Sequence, residues 1–195
     1  MPEQLSLPGL AAAPTDRLFF ALMPEAPAAT RAGELVETLR GSCRLTARAL
    51  PPKRLHVSLH HVGDFAGLPE AVVAAAKAAG DALKSKSFAI RFDRAGSFLR
   101  KQRTLPLVLR GGAGVTPLIA FQDALGRAMA HKGFRIASHY TPHMTLLYDS
   151  TYVEARDVSP VEWAASEFVL IRSLIGRSRY EMLGRWALAG EPNLS

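Results

Sequence analysis

Apolar positions along the chain recur at two spacings, and the switching between them predicts a mixed set of elements. Leu18 to Met23 is an apolar run ended by Pro24 and reads as a first strand. From about Ala28 to Arg40, Ala32, Leu35, Val36 and Leu39 share one helical stripe. Residues 54 to 62 return to a period of two. Gly67, Leu68 and Pro69 open a second helix, expected to turn Val72, Ala76, Ala79 and Leu83 inward, with Pro69 suited to a first turn. Phe88, Ile90 and Phe92 alternate against Ala89, Arg91 and Asp93 as a half-buried strand. Leu105, Leu107 and Leu109 alternate again, and Pro106, which has no ladder donor, argues for a sheet edge. Thr116 as cap and Pro117 begin a third helix with Leu118, Phe121, Leu125, Ala128 and Met129 inward, and Gly133 ends it. A strand at His143, a loop through Pro160 and strands near 167–175 and 180–188 complete the chain. Strands and helices mix without strict βαβ alternation, so the expected class is α+β with antiparallel sheets.

Pro2, Pro8 and Pro14, with Glu3 and no basic start, make residues 1–16 read as a mobile N-terminal tail rather than a signal peptide. Residues 17–190 are expected to form a single domain and 191–195 a short tail. At 195 residues and 48% apolar composition the chain can bury a sizeable core. Its lone Cys43 excludes an internal disulfide and fits a reducing, cytoplasmic setting. No apolar run has the length of a membrane span, so no membrane partner is expected.

The net charge of +7 changes the picture, because arginine outnumbers lysine and guanidinium is the better fork for phosphate oxygens. A solvated basic surface explains the same number. Between residues 91 and 110, however, Arg91, Arg94, Arg100, Lys101, Arg103 and Arg110 are opposed in sequence only by Asp93. That stretch is a candidate electrostatic lip for RNA.

The candidate chemistry lies in two stretches, RLHVSLHHVG (Arg54 to Gly63) and YTPHMTLLYD (Tyr140 to Asp149). Each carries a His, one residue, then a hydroxyl, at His56/Ser58 and His143/Thr145. In a strand each His shares a face with its hydroxyl, while Val57, Leu59, Met144 and Leu146 point to a core. A third copy, His139-Tyr140-Thr141, runs into Pro142 and reads as the lead-in to the His143 strand. Taken alone, the pair fits acid/base work on a phosphate ester and fits two ordinary strand histidines. By alternation His60 shares the face of His56 and is expected at a solvated strand end. His131 falls in the last helical turn, where the dipole favours a cation. His56/His60 and His139/His143 are spaced i, i+4, which makes a ligand pair only on a helix; these are strands, so no metal site is expected.

HVSLHHVGDF, PHMTLL, RLFFALMP (Arg17 to Pro24), FVLIRS (Phe168 to Ser173) and YEMLGRWAL (Tyr180 to Leu188), in that layout over residues 17 to 188, resemble the two-histidine (2H) phosphoesterase superfamily. Within it they are most similar to the LigT-like branch, RNA 2',3'-cyclic phosphodiesterases also called 2'-5' RNA ligases. The resemblance implies a bilobal domain: two antiparallel-sheet lobes, helices packed outside, and a central cleft with both His strands at its floor. It implies His56 and His143 as catalytic residues, Ser58 and Thr145 as phosphate-binding, and no metal or other cofactor. The implied reaction opens a 2',3'-cyclic phosphate to a 2'-phosphate, reversibly as 2'-5' ligation, with His143 as base and His56 as acid. The implied partners are RNA with 2',3'-cyclic phosphate ends or small cyclic nucleotides, and a monomer is expected. An RNA- or nucleotide-binding module without turnover is the alternative.

The chain departs from the family in two places. His61 stands where the family usually has an apolar residue. Tyr148 stands where many members carry an Arg five residues after the second His. Tyr148 is therefore a candidate substrate contact, with Arg100, Lys101 or Arg103 available to supply the charge. Phe19, Phe20 and Phe98 are candidate stacking platforms, with core packing the expected role of at least two of them.

Overall fold

The computed structural model describes residues 12–190; residues 1–11 and 191–195, which hold most of the two expected tails, lie outside the described residues. The first strand begins inside the segment read as a tail. β1 spans Asp16–Leu22, and the buried Asp16 carboxylate bonds to Thr15 and Arg172. The remaining elements are α1 (Ala26–Cys43), β2 (Val57–Phe65), α2 (Glu70–Ala82), β3 (Phe88–Ser97), β4 (Leu105–Arg110), α3 (Thr116–Ala130), β5 (Met144–Asp149), β6 (Arg156–Ala165), β7 (Glu167–Leu174) and β8 (Arg179–Ala187).

All eight strands form one antiparallel sheet in the order β6-β3-β4-β5-β2-β1-β7-β8. The fold is α+β, as the pattern of elements requires. Two four-stranded halves meet where β2 and β5 pair at Val57 and Met144 alone. Alternation along β1 shows how the faces are used. Leu18, Phe20 and Leu22 join the main core with the buried stripes of all three helices. Phe19 and Ala21 point the other way and pack with Val169 and Ile171 of β7. The helices thus cover one face of the sheet and leave the opposite face open. No helix of the described residues is long and apolar enough to cross a membrane.

Several expectations change. Pro106 lies in an interior strand, between β3 and β5. Its carbonyl accepts from the Phe98 amide at 3.0 Å, just past the end of β3. A strand residue's N and O point the same way, so the missing donor faces a place where the ladder has stopped. The loop expected through Pro160 ends at residue 155, and from Arg156 the chain is β6, an edge strand. The register shifts between Phe92 and Arg94 of its neighbour, and Pro160 sits beside that irregularity, where a lost donor does no harm. On α2 the buried residue is Val73, not Val72. On α3 Thr116 is the first helical residue, its hydroxyl donating to the Ala113 carbonyl at 2.9 Å, and Val115 precedes it.

Candidate active site

The open face of the sheet carries its polar groups where the two halves join. β2 and β5 run antiparallel past each other at Val57–Met144. The residue after Val57 therefore lies beside the residue before Met144. Ser58 is placed on the His143 side and Thr145 on the His56 side, so each histidine is set near the hydroxyl of the other motif. Both imidazoles stand one residue ahead of their strands and are held in the same way. Nδ1 of His56 is 2.8 Å from the carbonyl oxygen of Arg54, and Nδ1 of His143 is 2.8 Å from that of Thr141. A carbonyl can only accept, so each Nδ1 carries a proton and Nε2 is the nitrogen left for the cleft.

Both strands then break their alternation. Phe20 pairs with His60 and Ala21 with Ser58, which makes Leu59 an extra residue in β2. Leu107 pairs with Leu147 and Val108 with Thr145, which makes Leu146 an extra residue in β5. Each bulge turns two successive side chains to the helix side and reverses the faces beyond it. His60 is accordingly buried, not at a solvated strand end. Its Nε2 donates to the Gln122 carbonyl at 2.8 Å and its Nδ1 faces the Gln122 amide at 3.4 Å. His61 takes the place on the cleft face that strict alternation assigned to His60. In β5 the same device buries Leu146 and Leu147 and brings Tyr148 to the cleft.

The cleft holds about 540 Å³, the size range of a nucleotide-scale ligand. Of the expected residues, His56, His143, Ser58, Thr145, Tyr148, Phe19 and Arg100 line it. Phe98 meets His143 edge to face at 4.9 Å, with the Arg110 guanidinium 5.3 Å from the centre of its ring. Phe19 flanks His56 at 5.1 Å while remaining almost wholly buried, and Phe20 belongs to the helix-side core. Arg103 and Lys101 are exposed on the β3–β4 loop outside the lining. The basic stretch is also less free than its sequence implied, because Arg91 pairs with Glu162 at 3.1 Å and Arg94 with Asp157 at 3.1 Å, both acids from β6.

Arg17, Arg54, His61 and Tyr180 are among the lining residues that escaped the sequence reading. Arg54 was within reach of the period-two argument, being two residues before His56. The others depend on the bulges or on β8 returning beside β7. Tyr180 meets His56 edge to face at 5.7 Å. Asp64 accepts both Nε and Nη2 of Arg17, at 2.8 and 2.7 Å, and Nε2 of His61 at 2.8 Å. The Arg17 bonds, with help from His61, hold the Asp64 carboxyl well below the usual carboxylate range against its burial.

Burial lowers the pKa of both cleft histidines. For His56 the Arg54 carbonyl works against that shift, while His143 and the Arg54 charge add to it. For His143 the Thr141 carbonyl opposes it and the charges of Arg100 and Arg110 add to it. The free cleft therefore presents two neutral imidazoles with basic Nε2 atoms, two hydroxyl donors and a cationic rim. Such a set can bind a phosphate ester, take a proton on one side and return one on the other.

Two histidines and two hydroxyls in one cleft, on the open face of a single antiparallel α+β sheet, are the class of site that fold and geometry define. Residues 24–174 match the family model described as the 2'-5' RNA ligase superfamily, and the chain belongs to that superfamily of 2H phosphoesterases. No curated protein matches it. Among solved structures, a phosphoesterase is 27% identical with a TM-score of 0.67, over 90% of this chain and 99% of that one. Escherichia coli LigT complexed with 3'-AMP is 29% identical with a TM-score of 0.64, again over 90% and 99%. A Thermus thermophilus protein, 22% identical with a TM-score of 0.69 over 90% and 99%, shares the fold.

Proposed function

We propose that this protein is a phosphodiesterase that opens 2',3'-cyclic phosphates at RNA ends and leaves a 2'-phosphate, using its own side chains and no metal. The observation that carries the reading is the paired tether of His56 and His143, each by Nδ1 to a backbone carbonyl two residues back, beside Ser58 and Thr145. The nucleotide-sized cleft supports it, as do the E. coli LigT complexes with 3'-AMP, ATP and NADP+.

Ring opening needs attack and departure on opposite sides of phosphorus. His143 Nε2 takes a proton from water as its oxygen bonds to phosphorus, and protonated His56 Nε2 gives a proton to the ribose 3'-oxygen as the P–O3' bond breaks. The Ser58 and Thr145 hydroxyls donate to the non-bridging oxygens, where charge develops. With a ribose 5'-hydroxyl in place of water as the nucleophile, the same ring opening forms a 2'-5' diester as the P–O3' bond breaks, which is 2'-5' joining.

The test is a purified-protein assay on an oligonucleotide ending in a 2',3'-cyclic phosphate, with excess EDTA and phosphorus NMR of the product. Hydrolysis to the 2'-phosphate is expected. Loss of activity in EDTA, a 3'-phosphate product, or binding without turnover would overturn the proposal. A diester with a nitrophenyl leaving group separates the histidines, since that group departs without a proton. His56→Ala should recover much of its rate on it and His143→Ala should stay slow; the reverse result exchanges their roles.

A further inference from the structure

Beside the cleft lies a second recess of about 240 Å³, formed where β1 and the start of β2 meet the β7–β8 turn. It shares Arg17, Arg54 and Ser173 with the cleft, so the two are continuous. Two guanidinium groups and the hydroxyls of Ser173 and Ser178 line it, and among the described residues no carboxylate does. Arg17 is already engaged by Asp64 through two of its nitrogens. Arg54 is not: it forms no ion pair among the described residues, and its buried Nε has no hydrogen-bond partner. Its guanidinium is parked over the Tyr180 ring at 5.3 Å, a contact that orients a cation without neutralising it. A buried donor left unsatisfied in an acid-free recess points to an anionic ligand.

We infer that this recess is a second phosphate subsite, built on Arg54, that holds the 5'-phosphate of the nucleotide whose 2',3'-cyclic phosphate reacts in the cleft. The inference rests on the proposed function for the occupant of the cleft. In a terminal nucleotide the only phosphate besides the cyclic one is attached at the 5'-oxygen, as the diester of an RNA strand or the monoester of a small nucleotide. Either supplies non-bridging oxygens that a guanidinium fork recognises. The backbone carbonyl of Arg54 holds the His56 ring while its side chain would hold the neighbouring phosphate, so a ligand anchored here is set in register with the proposed acid.

The experiment compares a 2',3'-cyclic mononucleotide with and without a 5'-phosphate, and a dinucleotide ending in the cyclic phosphate, on the wild type, Arg54→Gln and Arg54→Lys. In the wild type the 5'-phosphate and the dinucleotide should each lower KM about 10-fold, the effect of one charge-assisted bond. In Arg54→Gln that advantage should vanish, with Arg54→Lys restoring part of it. A 5'-phosphate benefit confined to the dinucleotide identifies the strand as the source, and equal benefit identifies the phosphate itself; both support the subsite. No benefit in the wild type, or equal losses on all three substrates in Arg54→Gln, would overturn it, the latter placing Arg54 at the reacting phosphate. Equilibrium binding of a 2'-phosphorylated oligonucleotide needs no turnover: Arg54→Gln should reduce the salt slope by about 0.7, the share of one single-strand phosphate. That reduction, seen in a protein that hydrolyses nothing, would sink the proposed activity and leave the subsite standing.

Discussion

Burial keeps the imidazoles of His56, His60 and His143 neutral below the pH at which a free histidine titrates. Catalysis by the proposed route needs one of the cleft pair protonated and the other not. The kcat/KM profile should therefore be a bell lying on the acid side of about 6.5, its limbs belonging to the pair rather than to one residue. The kcat profile should move upward, because bound phosphate favours an imidazolium. Arg100→Gln removes a cation that depresses His143 and should shift one limb toward higher pH. A profile unmoved by that change would dissociate Arg100 from His143. Stability should follow the same groups with a definite sign. Their folded pKa values are depressed, so between those values and about 6.5 the unfolded chain binds more protons. The stability they contribute is fully present above 6.5 and is lost as pH falls through the folded values. Urea midpoints measured from pH 7.5 down to pH 5 should fall, less steeply in His60→Asn.

At the scale of elements, the two bulges decide which side chains the strands offer. Without Leu59 as an extra residue, His60 would face the ligand and His61 the core; without Leu146, Leu147 would replace Tyr148. The close approach of α2 to β8 is a second such constraint. A Cβ at Gly80 would stand 2.5 Å from the Trp186 ring. That ring is fixed by stacking on Phe168 at 5.0 Å and by donating to Asp81 at 2.6 Å. Gly80→Ala would gain about 1 kcal/mol in helix propensity, yet overpacking against a clamped ring costs about 1–3 kcal/mol. The clash should win, and a lowered denaturation midpoint followed by Trp fluorescence is the expected result. An unchanged or raised midpoint would show that Trp186 yields.

The two halves of the sheet are not the two halves of the chain. One contains β1, β2, β7 and β8, the other β3, β4, β5 and β6, so the chain crosses between them twice. Strand, helix and His-strand do recur, as β1-α1-β2 and β4-α3-β5, but β5 passes to β6 with no counterpart of α2. Loop 44–50 ties the halves together near the site. The Leu50 amide donates to the Leu146 carbonyl at 2.7 Å, and the Thr46 and Ala47 amides donate to Asp149 at 2.8 Å. On this body the basic groups divide by position. Arg100 lines the cleft, whereas Lys101 and Arg103 do not. Neutralising Lys101 and Arg103 together should weaken long-RNA binding and flatten its salt dependence while sparing a cyclic mononucleotide. Equal loss on both ligands would place the pair at the phosphate.

What the sequence determined by itself is what periodicity carries: the order of strands and helices apart from β6, the α+β class, and the pairing of each His with a hydroxyl two residues on. Those follow from the spacing of side chains along one element, which is a local property. Four things needed the tertiary structure, and each turns on a neighbour that local spacing cannot contain. A bulge exists only against a partner strand, so the exchange of His60 for His61 was hidden. Pro106 is tolerated in an interior strand only because β3 has ended beside it. Arg91 and Arg94 find Glu162 and Asp157 across a ladder some 60–70 residues away in sequence. Arg54 is distinguished only by a fold that surrounds it with Tyr180, Ser173 and Arg17 and, among the described residues, pairs it with no acid.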